Sequence, residues 1–247
     1  MAAIEKTVDI IGDDAFCALI LGRSIPDGMP VDFYDDILTK LRPHALRNMS
    51  GLESVYFPNV TYLGKYALAE CPDLKRVDLP KVTSLTERAV FSCPSLLEVN
   101  FPMATSIGEF AITGGSIKRI ELPSAVSANG TLQFYSCTSL EEIILPRLKY
   151  VAGSMFYYCT SLKQLDLPSV TSIGGATILN GASSMEVVNI GPNITNINAN
   201  AFGGAPAGMV VNLPKSEGEI AGAPWGGVDI VIHYDTPYAG TVPIPES

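Results

Sequence analysis

Apolar positions return along most of the chain in one fixed frame. Triplets spaced L-x-x-L-x-L occur as Leu74, Val77 and Leu79; Leu96, Val99 and Phe101; Ile117, Ile120 and Leu122; Leu140, Ile143 and Leu145; and Leu162, Leu165 and Leu167. The last two members of each triplet stand two residues apart, so they face one side of a short strand. A proline follows each triplet, and the series Pro58, Pro80, Pro102, Pro123, Pro146, Pro168, Pro192 and Pro214 has spacings of 22, 22, 21, 23, 22, 24 and 22. Five residues past the proline comes another apolar residue (Leu63, Leu85, Ile107, Val151, Ile173, Ile197), and five later one more (Leu68, Val90, Ile112, Phe156, Ile178, Phe202). Three inward-pointing groups per unit define a closed cross-section, and a beat of this length means stacked coils.

One such unit cannot bury its apolar edge, whereas a stack shares a continuous core. The pattern therefore predicts a repeat solenoid of about eight coils whose short strands pair in parallel with their copies. At roughly 4.8 Å per paired strand, the rod is about 40 Å long. This accounts for an apolar content of 47% and a mean hydropathy of +0.26. No apolar run reaches the length of a membrane span, so membrane insertion is not expected.

The units LKRVDLPKVTSLTERAVFSCPS (74–95) and LKQLDLPSVTSIGGATILNGASS (162–184) carry the frame L-x-x-(V/L)-x-(L/F)-P-x-(V/A)-T-S-(I/L). This frame resembles the BspA-type leucine-rich repeats of bacteria and their phages, over roughly residues 37–214. The resemblance implies a strand, a second short extended segment and a helical turn in each coil. It implies a binding scaffold and no single shared function.

The flanking segments read as caps, which a solenoid needs at its terminal coils. Residues 1–36 form the expected N-terminal cap, with a short helix over 13–22 that starts near Asp13 or Asp14 and stops at Gly22. Residues 215–235 hold the single Trp225 and an alternating strand expected to cover the last coil, and 236–247 form an extended tail rich in proline and glycine. The first residues lack a basic stretch before an apolar one, so no secretory signal is expected. Synthesis in a bacterial cytoplasm, with incorporation in a virion as one route out, fits that reading.

A formal net charge of −9 argues against nucleic acid as a partner. Cys71, Cys93, Cys137 and Cys159 share one repeat position with Gly115, Gly181, Ala205 and Met49. A column that accepts glycine and alanine is a small packing site, which predicts buried free thiols, although stacking brings neighbours near disulfide range. No zinc-type spacing, phosphate loop or nucleophile motif occurs, and His44 and His233 lie at opposite ends of the repeat. Neither a cofactor nor a metal is expected, and the chain does not read as an enzyme.

Three surface columns remain. Arg76, Glu98, Arg119, Glu142 and Gln164 alternate in charge between neighbouring coils, as a register-fixing salt ladder would. Tyr56, Asp78, Asn100, Glu121, Ile144 and Asp166, continued by Asn189 and Asn212, form a strand-face column of acids and amides. It is either a solvated polar face or a surface that accepts hydrogen bonds from a sugar or protein. Phe91, Thr113, Tyr135, Tyr157 and Leu179, with Tyr158 beside them, form a turn-face strip that either seals the gaps between coils or makes an apolar interface. The whole supports a non-enzymatic module for surface recognition or adhesion, binding a protein or a cell-surface glycan, such as a phage tail or baseplate accessory. The alternative is an intracellular bacterial scaffold for protein interaction.

Overall fold

The structure, a computed structural model, describes residues 31–34, 36 and 38–245. The expected helix over 13–22 lies outside them.

The chain winds into a β-solenoid of about nine turns of roughly 22 residues. On the first face lie the strands Val31–Tyr34, Leu52–Tyr56, Arg76–Asp78, Glu98–Asn100, Arg119–Glu121, Glu142–Ile144, Gln164–Leu167, Val187–Ile190, Val210–Asn212 and Val231–His233. Two-residue strands from Lys40–Leu41 to Asn196–Ile197 line a second face. Every pairing between strands is parallel, and the first-face ladder is interrupted after Glu98–Asn100 and again after Glu142–Ile144. The apolar frame sets this register: Val55, Val77 and Val99 are directly paired, as are Leu165, Val188, Val211 and Ile232. A slip of one residue would turn these side chains out to water. Val77, Leu79, Val82, Leu85, Val90 and Cys93 fill one coil's share of the core, none more than 1% exposed.

The recurring proline has a local cause. The amide of Val82 donates to the Leu79 carbonyl across Pro80, and Val60, Ala104, Ala125 and Leu148 do the same across Pro58, Pro102, Pro123 and Pro146. Proline thus occupies the second position of a β-turn, where its fixed φ is already correct and an amide hydrogen is not needed.

The expected helical turn is absent among the described residues, and a stack of β-turns takes its place. Two positions per coil are left-handed. One column runs His44, Tyr66, Arg88, Phe110, Leu132, Ser154 and Thr177, with φ from 51° to 64°. The other includes Asn48, Glu70, Ser92, Ser136 and Tyr158, with Gly114 at φ 72°. Such backbone costs non-glycine residues of order 1 kcal/mol each. The return is a third ladder between coils: His44, Leu46 and Asn48 donate to the carbonyls of Lys65, Ala67 and Ala69, and Tyr66, Leu68 and Glu70 donate to those of Glu87, Ala89 and Phe91. A helix would spend these amides within its own turn and leave the neighbouring coil unpaired.

The cysteine column completes this third side. Cys71, Cys93, Cys137 and Cys159 are buried. Their Sγ atoms donate to the carbonyls of Leu46, Leu68, Ile112 and Phe134 in the preceding coil, at 3.1, 3.1, 3.5 and 3.2 Å. The thiol is therefore both a small filler and a donor to a buried carbonyl.

Parallel pairing continues on both sides of the frame read over 37–214. Val31–Tyr34 pairs with Leu52–Tyr56, and Val231–His233 adds a further strand beside Val210–Asn212. Trp225 is fully buried, and its ring meets Phe202 edge-on at 6.1 Å, so it extends the apolar column of the coil before it.

Candidate functional site

The expected strand-face column exists in register. Tyr34, Tyr56, Asp78 and Asn100 are successive partners, Glu121 pairs with Ile144, and Asp166, Asn189, Asn212 and His233 follow one another. The beside-lying charges alternate as expected: Arg76 lies 3.6 Å from Glu98, and Arg119 pairs with Glu142. These groups are about half exposed, so each pair contributes at most about 1 kcal/mol. A parallel outer ladder, missed in the sequence, joins Lys75 to Glu53 at 2.8 Å and Lys118 to Glu141 at 2.9 Å.

The amides link the polar column into chains. Asn100 donates to Asp78 Oδ1 at 2.7 Å. In the later coils the His233 ring nitrogen Nδ1 meets Asn212 Oδ1 at 3.1 Å, Asn212 donates to Asn189 at 2.8 Å, and Asn189 donates to Asp166 Oδ1 at 2.8 Å. Chains of this kind polarise one another and concentrate donors on the terminal carboxylate.

The two halves of the face differ in what covers them. In the earlier coils Tyr56 and Glu121 are exposed, and Asp78, Asn100 and Ile144 are half-buried. Two open concavities lie there. One of about 490 Å³ is lined by Asp32, Glu53, Ser54, Val55, Tyr56, Lys75, Arg76 and Asp78. The other, of about 430 Å³, has Arg76, Glu98, Asn100, Arg119 and Glu121 among its walls. In the later coils Asp166 and Asn189 are 4% exposed, and the C-terminal segment turns back onto Asp166.

The sequence predicts an extended tail over 236–247 and assigns it no contact. The segment leaves the last strand at Tyr234, is held by Asp235 and Thr236 amides donating to Lys215 and Leu213 carbonyls, and reaches Asp166, two intervening strands away in the sheet. There Asp166 Oδ2 accepts from the Thr241 amide at 2.6 Å, the Thr241 hydroxyl at 2.9 Å and the Val242 amide at 3.1 Å. Gln164 adds bonds of 2.9 Å to both carboxylate oxygens. Burial alone would raise the Asp166 carboxyl, but donors from Asn189, Gln164, Thr241 and Val242 outweigh it and hold the group below its ordinary value of 3.8. Tyr238 donates its hydroxyl to the Val242 carbonyl at 2.5 Å, and burial, with the Asp166 charge, pushes that hydroxyl up.

The turn-face strip divides. Leu179 and Thr113 are buried, Phe91, Tyr135 and Tyr157 are half-buried, and Tyr158 is exposed. The rings lean on one another, Phe110 on Tyr135 at 5.6 Å, Tyr135 on Tyr157 at 5.9 Å and Tyr157 on Tyr158 at 4.5 Å. Further back, Arg88 lies over Phe110 at 4.6 Å and over Tyr66 at 5.5 Å, and His44 stacks on Tyr66 at 5.0 Å. The left-handed column had not been recognised in the sequence, yet it supplies His44, Tyr66, Arg88 and Phe110 to this seam.

The thiols are placed for packing. Burial pushes Cys137 up to about 12 and Cys159 well above its usual range, whereas hydrogen bonding from Cys71 lowers Cys93. Among the described residues, no cluster of three or more His, Cys, Asp or Glu side chains could hold a metal. No helix there is long and apolar enough to cross a membrane.

A family model described as the BspA type leucine rich repeat region matches in six copies, over residues 2–105, 30–128 and 93–208. No curated protein matches the sequence. Among solved structures, the chain is similar to a leucine-rich repeat protein from Bacteroides ovatus at 15% identity and a TM-score of 0.53, covering 83% of this chain and 69% of that one. It also matches a leucine rich cell surface protein from Faecalibacterium prausnitzii at 16% identity and a TM-score of 0.38, over 83% and 79% of the two chains. The Pneumococcal vaccine antigen PcpA matches at 17% identity and a TM-score of 0.48, over 79% and 60%.

Proposed function

Since the chain belongs to the BspA-type leucine-rich repeat family, we propose that it is a non-enzymatic binding module that recognises a protein or a cell-surface glycan through its strand face. The observation that carries this reading is the in-register column from Tyr34 to Asn100, flanked by Arg76, Glu98 and Arg119 and hollowed by the two open concavities. Exposed tyrosines offer flat apolar contact, and the carboxylates and amides beside them accept and donate hydrogen bonds, the mix found at recognition surfaces. Among the described residues, the C-terminal segment stops short of this half of the face, which is thereby left open to a partner. The virion assignment is a narrower form of the same proposal. It rests on the family resemblance and on the lack of a visible secretory signal, and none of the three structures named above comes from a phage.

The test is binding of the fluorescently labelled protein to whole bacterial cells, a glycan array and a bacterial surface-protein fraction, beside Tyr56→Ala with Asp78→Asn. Saturable binding that the double variant loses at least tenfold supports the strand face. Binding that survives in this variant but is lost in Tyr135→Ser with Tyr157→Ser moves the site to the turn face.

A further inference from the structure

The segment that crosses the later coils is chemically a ligand. It is extended, it carries Pro237, Pro243 and Pro245, and proline cannot donate to a sheet ladder, so the segment is not held as an added strand. It is caught at one point instead, where the Asp166 carboxylate takes two consecutive backbone amides and a hydroxyl from Thr241 and Val242. Val242 is 5% exposed and, with Thr241, forms one wall of a hollow whose other walls are Glu141, Glu142, Ile143, Gln164 and Asp166. Asn189 on the next strand orients the carboxylate from behind.

Four coils earlier the described residues leave the same seat uncovered. Glu53, Ser54, Val55, Arg76 and Asp78 occupy the repeat positions of Glu141, Glu142, Ile143, Gln164 and Asp166, and all five line the concavity of about 490 Å³. Asn100 donates to Asp78 at 2.7 Å as Asn189 does to Asp166 at 2.8 Å. Arg76 approaches Asp78 Oδ2 only to 3.6 Å, which leaves that oxygen accessible to better donors. The C-terminal segment runs towards the lower-numbered coils. A peptide lying in the same direction on Asp78 would carry its next residues onto Tyr56 and Tyr34, whose rings are 5.4 Å apart and whose exposures are 41% and 57%. Paired tyrosines are the surface on which extended proline-containing segments dock.

We infer that Asp78, Asn100, Val55, Tyr56 and Tyr34 form a peptide-binding seat for an extended Thr-apolar-Pro segment, of which Asp166 with Thr241–Val242 is the self-occupied copy. This deepens the proposed function, on which it rests, by naming the ligand class: a protein segment with a hydroxyl residue, an apolar residue and proline in succession. Prolines pre-extend such a segment, so less ordering entropy opposes binding.

The probe is a labelled, end-capped peptide of residues 236–245, titrated against the full chain by fluorescence anisotropy and calorimetry. The wild type is expected to bind one equivalent, because the tethered copy of the segment holds the Asp166 seat at high effective concentration. Thr241→Pro removes both the amide and the hydroxyl that grip Asp166 while leaving the seat intact, so this variant is expected to bind two. Asp78→Asn, or Tyr34→Ala with Tyr56→Ala, should weaken the wild-type event at least tenfold with an unchanged melting temperature, and the peptide with Thr241→Ala should bind at least fivefold more weakly. No equivalent bound by the wild type, or one that Asp78→Asn leaves unaltered, overturns the inference. If that happens while the same Asp78→Asn variant still loses its cell or glycan binding, the strand face stands as the recognition surface and only its ligand class is wrong.

Discussion

Asp78 and Asp166 hold the same repeat position, receive the same amide from the next strand, and live in different worlds. Asp166 is covered and satisfied by five further hydrogen bonds, whereas Asp78 keeps a half-open side with one distant arginine. Three of those five bonds come from a segment outside the repeat, and the other two come from Gln164, which stands in the repeat position of Arg76. In a solenoid, each coil offers a copy of any site it encodes, and non-repeating chain decides which copies stay available.

The largest effect should ignore this difference, because the core beneath both halves is continuous. Leu165→Asp and Val77→Asp each place an unpaired charge where no surface is exposed, which costs several kcal/mol. Both variants are expected to lose the cooperative thermal transition seen by circular dichroism. If only one collapses, the halves do not share a core.

Next comes the covered carboxylate. Asp166→Asn should lower stability by about 2 kcal/mol through loss of charged hydrogen bonds, while Asp78→Asn should stay within about 0.5 kcal/mol. Chemical denaturation compares them directly, and equal effects would remove the contrast. The pH dependence follows the same line. The folded Asp166 carboxyl lies below its ordinary value of 3.8, so in acid the released or unfolded form binds the proton first. Its contribution is present above that value and is lost as pH falls further through the folded one. Proteolysis of the 234–245 segment should therefore be slow at pH 5 and accelerate below about pH 4.

Smaller still are the effects on the third side. Cys137 and Cys159 should react with a thiol reagent only after denaturation, since burial holds both thiols protonated. Cys93, lowered by Cys71, should label before them as denaturant rises, and labelling of Cys137 first would reverse the assignment. Removing Arg119 from its exposed pairs with Glu121 and Glu142 should cost less than about 1 kcal/mol by thermal melting.

The parts of this molecule that were readable are those that repeat. The L-x-x-L-x-L frame specified the inward strand positions, and the pairing of Asp78 with Asn100 and of Asp166 with Asn189 followed from counting. The third side is not helical as the resemblance implies, and its left-handed column has little signal because it includes Tyr66, Arg88, Phe110 and Leu132, types that seldom adopt φ above zero. The strand at Val231–His233 covers the last coil in register with Val210–Asn212, although Asp235 stands where Pro214 stands one coil before, so the proline beat falls silent while the register continues. The grip of Asp166 on Thr241 had no signal at all. It joins residues 75 apart in sequence, outside the period, and a single hydroxyl among prolines does not mark its partner.

The central claim is that the C-terminal segment occupies a strand-face seat that is open elsewhere on the same face. Amide hydrogen exchange at Thr241 and Val242, followed by NMR in the wild type and in Asp166→Asn, tests it most directly. The account predicts strong protection of both amides in the wild type and its loss in the variant, with protection of Val188 and Val211 unchanged in both. Free exchange of Thr241 and Val242 in the wild type would contradict it.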